Sequence, residues 1–185
     1  MDKQYQNIIK ISVWSTIIFF IIRCGISWTT IKAGASLYEL FGYAGEAIGL
    51  SALFVAFFER WLWKKIPFFS VPILKKRYIG ILKSSYDNVE REIELEIKQT
   101  FLSIKVLMKS NESKSNSISA SIDEFLGVQQ LTYCYLNTPK AEFRHRSEMH
   151  FGTAMLEITK EGVLKGSYYT DRKTCGDMFL NPVDD

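Results

Sequence analysis

The stretch 91-REIELEIKQ-99 decides the fold. In an extended chain Ile93, Leu95, Ile97 and Gln99 fall on one side, and Glu92, Glu94, Glu96 and Lys98 on the other. A period of two with this contrast marks a strand with one face buried and one in water. The same period recurs on both sides of it. Tyr78–Tyr86 reads YIGILKSSY, and Leu102–Met108 sets Leu102, Ile104, Val106 and Met108 against Ser103, Lys105 and Leu107. The polar SNESKSNS that follows reads as a hairpin turn. Ser117–Ile122, Gln130–Asn137, Glu148–Thr159, Val163–Arg172 and Cys175–Leu180 complete a set of eight short strands. Consecutive strands on short turns favour an antiparallel meander. Eight of them close into an up-and-down β-barrel whose interior is filled by side chains or holds one small ligand. A two-sheet sandwich is the alternative.

Upstream of residue 78 the composition changes. Ile8–Ile31, IIKISVWSTIIFFIIRCGISWTTI, and Ala44–Trp63, AGEAIGLSALFVAFFERWLW, are each long enough to cross a bilayer as a helix. A cleaved leader is the alternative for the first, with Ala33-Gly34-Ala35 as a weak cleavage site. Lys32 is the basic residue of the loop between the runs. Arg60, Lys64, Lys65, Lys75, Lys76 and Arg77 follow the second run, and Lys3 and Lys10 precede or open the first. The positive-inside rule then places both termini in the cytoplasm. Pro67 and Pro72 end the helical pattern and keep the following chain extended. The expected organisation is a two-helix transmembrane hairpin over 1–66, a linker over 67–77 and a β-barrel over 78–185.

The spans carry polar and small residues in register. Gly45 and Gly49 form a GxxxG, which lets two helices approach closely. Arg23 lies inside the first span and needs a partner there. Either it pairs with Glu46 or Glu59 within one hairpin, or its stripe faces other hairpins in an assembly.

The bulk numbers exclude several classes. Net charge is only +3, too mild to argue for binding a DNA or RNA duplex. The three cysteines are scattered, and with two histidines they leave little material for a metal site or a disulfide framework. Glu142, His145 and Glu148 lie close in sequence but within the charged KAEFRHRSE, where solvation is the ordinary fate. No nucleophile context, paired-acid arrangement or glycine-rich phosphate loop points to an enzyme, and no catalytic residue is assigned.

In 163-VLKGSYYTDRKTCGD-177 the phase puts Leu164, Gly166, Tyr168, Thr170 and Arg172 on the inner face, since Lys165 and Asp171 suit water. His150 is in phase with Gly152, Ala154 and Leu156, and Asn137 with Tyr133 and Tyr135. Two outcomes are open. Either these polar groups ring a pocket for a flat, anionic ligand, or Arg172 pairs with an inward acid and the barrel is a solid core.

The hairpin, the basic Pro-flanked linker, YIGILKSSYD, LTYCYLNTP, HFGTAMLEI and LKGSYYTDRKTCGD together resemble one family. It is the two-transmembrane, β-strand-rich effectors of cyclic-oligonucleotide-based anti-phage signalling (CBASS), associated with cGAS/DncV-like nucleotidyltransferases (CD-NTases). The resemblance covers nearly the whole chain. It implies a barrel that binds a cyclic dinucleotide made by a cognate CD-NTase, with no cofactor. It also implies homo-oligomerisation on activation, disruption of the bacterial inner membrane and abortive infection. On it, Arg172 is a phosphate clamp and Thr170 a hydrogen-bond partner of phosphate or base. Tyr78, Tyr86 and Tyr168 stack purines, and Asn137 and His150 read base edges or sugar. Gly45, Gly49 and Arg23 serve assembly in the membrane. Read without the resemblance, the chain also fits a membrane-tethered, lipocalin-like carrier of a hydrophobic ligand.

Overall fold

The computed structural model describes residues 3–66, 69, 71–145 and 147–183. The chain divides into two compact units, residues 1–69 with 100–102, and residues 70–99 with 103–185.

In the first unit, α1 spans Lys3–Ile26, a short α2 Trp28–Lys32, and α3 Leu37–Arg60, followed by a 3-10 turn over Leu62–Lys65. The two long helices have 24 residues each, about 36 Å at about 1.5 Å per residue, and are apolar enough to span a bilayer. The second begins earlier than its apolar run suggests. Ser36 caps it: the Glu39 amide donates to Ser36 Oγ at 3.3 Å, and the Ser36 amide donates to Glu39 Oε2 at 2.8 Å. This is a capping box, spelled S-x-x-E ahead of the hydrophobic stretch.

Tyr43, Ala47 and Ser51 repeat every four residues and form the buried stripe of α3. Ser51 Oγ lies 2.6 Å from Ser15 Oγ of α1 and 3.1 Å from the Ser12 carbonyl, to which it donates. Small residues with interhelical hydrogen bonds are what close packing in lipid requires. Arg23 is ion-paired with Glu46 of the same hairpin, donates to Ser27 Oγ, and lies 4.2 Å from the centre of the Tyr43 ring. Gly45 and Gly49 are displaced by two residues from the buried stripe, hence on the far side of α3. A methyl group added at either meets nothing within 4 Å. Phe101 packs edge-on against Phe58 and Phe69 and beside Trp63.

The second unit is a closed antiparallel barrel. Its strands are β1 Arg77–Ser84, β2 Glu90–Gln99, β3 Ile104–Ser110, β4 Ser113–Phe125, β5 Val128–Pro139, β6 His150–Ile158, β7 Leu164–Thr170 and β8 Cys175–Val183. Each pairs with the next, and β8 closes on β1 from Arg77↔Val183 to Ser84↔Gly176. This rules out the sandwich. The inner face of the opening stretch is the core face: Ile93, Leu95 and Ile97 are buried beside Leu131, Ala154, Leu156, Leu164 and Leu180.

The SNESKSNS turn contracts to Asn111–Glu112, and Ser113–Phe125 is a single strand. Serines on the inner face hid its period; Ser115 is fully buried opposite Asn137. β7 ends at Thr170, before Arg172.

Glycines allow two ladders to pinch. A Cβ on Gly166 would sit 2.0 Å from the Met155 carbonyl oxygen of β6, and one on Gly80 1.8 Å from the Phe179 carbonyl oxygen of β8. Gly166→Ala is therefore expected to destabilise the barrel by about 1–3 kcal/mol, because backbone must move. Urea unfolding followed by circular dichroism measures it, and an unchanged midpoint would contradict the close approach.

Connections alternate between the barrel's two ends. The β1–β2, β3–β4, β5–β6 and β7–β8 connections lie at one end, the mouth. The β2–β3, β4–β5 and β6–β7 connections lie at the other, with the start of β1 and the end of β8. At that linker end Gln99 holds the incoming chain. The Leu74 amide donates to Gln99 Oε1 at 2.9 Å, and Gln99 Nε2 donates to the Pro72 carbonyl at 2.9 Å.

Candidate functional site at the barrel mouth

The mouth opens on a cavity of about 160 Å³. Leu82, Ile93 and Met108 form its floor, inward positions of β1, β2 and β3 one or two steps below the rim. Above them stand Tyr135 and Tyr168, whose hydroxyls burial pushes up in pKa, so both remain protonated donors at neutral pH.

Six of the residues singled out in the sequence line this one cavity: Tyr86, Asn137, His150, Tyr168, Thr170 and Arg172. They arrive from the β1–β2 connection, β5, β6, β7 and the β7–β8 turn. Tyr78 does not line it. It begins β1 at the linker end, almost fully buried, and its hydroxyl accepts a hydrogen bond from the Lys75 amide at 3.1 Å.

Each rim group has a local cause. The β7–β8 turn is tight. Thr170 Oγ1 lies 2.7 Å from Thr174 Oγ1, and Lys173 adopts a left-handed φ of 61°. Asp171 Oδ2 accepts from the Phe151 amide at 3.2 Å, fastening the turn to β6. Arg172 thus projects from a fixed turn at the exposed rim, where the strand phase alone would have set it inside. Its Nη1 donates to Ser147 Oγ at 3.3 Å, and among the described residues no carboxylate pairs with it.

His150 Nδ1 is 2.9 Å from the Glu148 carbonyl, so Nδ1 carries the proton and Nε2 is left as an acceptor. Asn137 Nδ2 donates to Ser113 Oγ at 3.2 Å, while its Oδ1 is buried with no donor against it among the described residues. A buried acceptor without a donor costs free energy that a ligand N–H can recover.

A second arginine lines the mouth that the sequence reading passed over. Arg91 binds both oxygens of Asp87, at 2.5 and 3.0 Å, and its Nε is 3.9 Å from Glu112 Oε2. The Arg91 fork and the Val89 amide hold the Asp87 carboxyl down to a pKa of about 2. The signal for Arg91 was in the opening stretch, in phase with Ile93, Leu95 and Ile97. The alternation of acids on the other face drew the eye to Ile93 as the first inward residue.

Among the described lining residues, the rim therefore offers one guanidinium paired with a carboxylate and one without such a pair, above two tyrosines and an apolar floor. A cavity for a drug-sized ligand usually measures about 300–1,000 Å³. At about 160 Å³ this one has room for a single flat ring, and the rest of a larger ligand would lie across the rim. Among the described residues no group of histidine, cysteine, aspartate and glutamate is arranged to hold a metal ion.

The chain is similar to known proteins along most of its length. Residues 69–181 match the family described as Cap15, cyclic dinucleotide receptor domain. The chain is 33% identical over 187 residues to CD-NTase-associated protein 15 of Staphylococcus schleiferi, across 99% of this chain and 100% of that protein. It is 33% identical over 162 residues to CD-NTase-associated protein 15 of Yersinia aleksiciae, across 81% of this chain and 74% of that protein. A match that runs through every strand of the barrel, and a relative aligned from end to end, mean that the chain belongs to the Cap15 family of cyclic dinucleotide receptors.

Proposed function

We propose that this protein is the membrane effector of a CBASS anti-phage system. The barrel mouth binds a cyclic dinucleotide supplied by a partner CD-NTase, copies of the chain then assemble, and the bacterial inner membrane is disrupted, ending the infected cell. The observation that carries the ligand half is the unpaired Arg172 guanidinium above a small aromatic cavity. A phosphodiester presents two oxygens to its fork. Tyr86 and Tyr168 offer faces on which bases stack, worth about 1–3 kcal/mol per base in single-strand binders. Asn137 Oδ1 and His150 Nε2 accept from base or sugar donors. Thr170 shapes the turn under Arg172, and Tyr78 fixes the entry of β1.

Both termini lie in the cytoplasm on this reading, with α1 and α3 as the spans. The Gly45/Gly49 face supports assembly because a Cβ added at either position meets no described atom within 4 Å. Arg23 contributes by keeping its charge paired with Glu46, so that pair enters the bilayer without net charge. The ligand drives assembly only through a higher affinity for the assembled state. The protein acts as a receptor and carries out no chemistry on the ligand.

The carrier reading fares worse. A hydrophobic ligand would have to pass a rim holding Arg91, Arg172, Asp87 and Glu112 and fit about 160 Å³. Calorimetric titration of the purified full chain with a panel of cyclic di- and trinucleotides and with fatty acids separates the two. Saturable binding of a cyclic dinucleotide is expected. Binding of fatty acid alone would overturn the assignment.

A further inference from the structure

The β4–β5 hairpin reaches past its neighbours at the linker end. β4 pairs with β3 only from Leu107↔Asn116 to Lys109↔Lys114, yet stays paired with β5 out to Phe125↔Val128. β5 in turn pairs with β6 only from Gln130 onward. The apex is Phe125-Leu126-Gly127-Val128, and it is apolar and bare. Leu126 is 105% exposed, Phe125 59% and Val128 43%.

The turn itself is unusual for its residue. Leu126 and Gly127 have φ of 51° and 81°, the two left-handed positions of a tight hairpin. Asparagine, aspartate or glycine suit the first of these, and a leucine there is strained. It receives no burial in return within its own barrel. A bulky apolar residue in a strained, uncovered position points to a surface that covers it.

Charge on the same end points to what that surface is. Lys98 and Lys105 stand directly opposite each other across β2 and β3, both exposed. Like charges in that relation repel, and the nearby Glu96, already ion-paired with Lys109, offsets this only in part. The Lys76 carbonyl accepts from the Ile97 amide at 2.8 Å, which brings the basic linker alongside Lys98. Asp123, Glu124 and Glu161 also lie at this end, on the β4 and β6–β7 side. They restrict contact there to the apex itself. Finally, this is the end at which the chain arrives from α3 through residues 61–76.

We infer that the linker end of the barrel docks on the bilayer surface, with Phe125, Leu126 and Val128 in the interfacial layer and Lys98 and Lys105 over anionic head groups. This rests on α1 and α3 spanning that bilayer. The mouth then faces the cytoplasm, open to a soluble ligand.

The test uses the full chain with Cys24, Cys134 and Cys175 replaced by serine, reconstituted in phosphatidylcholine–phosphatidylglycerol vesicles. Single cysteines at Leu126→Cys, Leu53→Cys in α3 and Met149→Cys at the mouth carry an environment-sensitive nitrobenzoxadiazole dye. Lipid-borne nitroxide is expected to quench the dye at 53 and at 126 and to spare 149. At 126 a nitroxide near the head groups should quench several-fold more than one deep in the acyl chains. Adding Lys98→Glu and Lys105→Glu should lower quenching at 126 and leave 53 unchanged. Quenching at 53 with none at 126 overturns the docking. So does a signal at 126 that appears only as dye–dye quenching between copies, which would make the apex a contact with a second chain. Absence of quenching at 53 removes the spanning assignment and the docking with it.

Discussion

Arg172→Ala is expected to weaken cyclic dinucleotide binding by about 2–3 kcal/mol, roughly 30- to 150-fold in Kd, with the barrel's thermal unfolding unchanged. The two halves of that expectation have separate causes. Arg172 contributes little to the fold. It sits on an exposed turn, its protein partner is one serine hydroxyl at 3.3 Å, and the turn is held by Thr170, Thr174 and Asp171. Its contribution to binding is expected to be large, because a phosphodiester would supply the counter-charge that no described carboxylate supplies. Arg172→Lys should fall between, since an ammonium keeps the charge and loses the paired donors. Arg91 is a poorer choice for this test. Removing it takes the guanidinium away from the Asp87 carboxylate, and weaker binding would then report new repulsion as much as a lost contact. Calorimetry on wild type and the two Arg172 variants settles the matter. Unchanged affinity in Arg172→Ala would remove the phosphate clamp.

Deleting residues 1–66 is expected to abolish cell killing completely while leaving ligand affinity within about 0.5 kcal/mol of the full chain, as distant, independent parts behave. The barrel closes its own ladder and has its own core, so binding needs nothing from the helices. Residues 100–102 belong to the first unit, where Phe58 and Trp63 cover Phe101. The truncated protein should therefore carry Phe101→Ser to avoid an exposed ring. Growth of bacteria expressing each form with its nucleotidyltransferase during infection gives the first readout, and calorimetry the second. Killing by the truncated barrel would end the membrane-disruption mechanism.

Much of this architecture could be read from alternation alone, because a half-buried strand writes its two faces into the chain. The Ile93-Leu95-Ile97 face and the Leu164-Tyr168-Thr170 face are both buried as their phase requires. β4 was legible only in part, since a serine serves on its inner face as well as its outer one. Phase also says which way a side chain points and nothing about how far along the barrel it lies. Tyr78 and Tyr86 belong to one sequence motif, yet they stand at opposite ends because β1 runs between them. Counting connections from the linker would have separated them. Arg172 was misplaced inward by extending the β7 period beyond Thr170, where the Thr170–Thr174 hydroxyl contact already bends the chain. The start of α3 was missed because hydropathy averages over a window, whereas Ser36 and Glu39 act as individual residues.

The alternation of connections has an evolutionary consequence. Four connections meet at one rim, where Tyr86 and Arg172 join Asn137, His150, Tyr168 and Thr170 from the ends of the strands. Insertions or exchanges in 85–89, 111–112, 140–149 and 171–174 can retune selectivity without disturbing the tether at the opposite rim. On the proposed function, a receptor built this way can diversify what it senses at one rim while the other keeps its connection to α3.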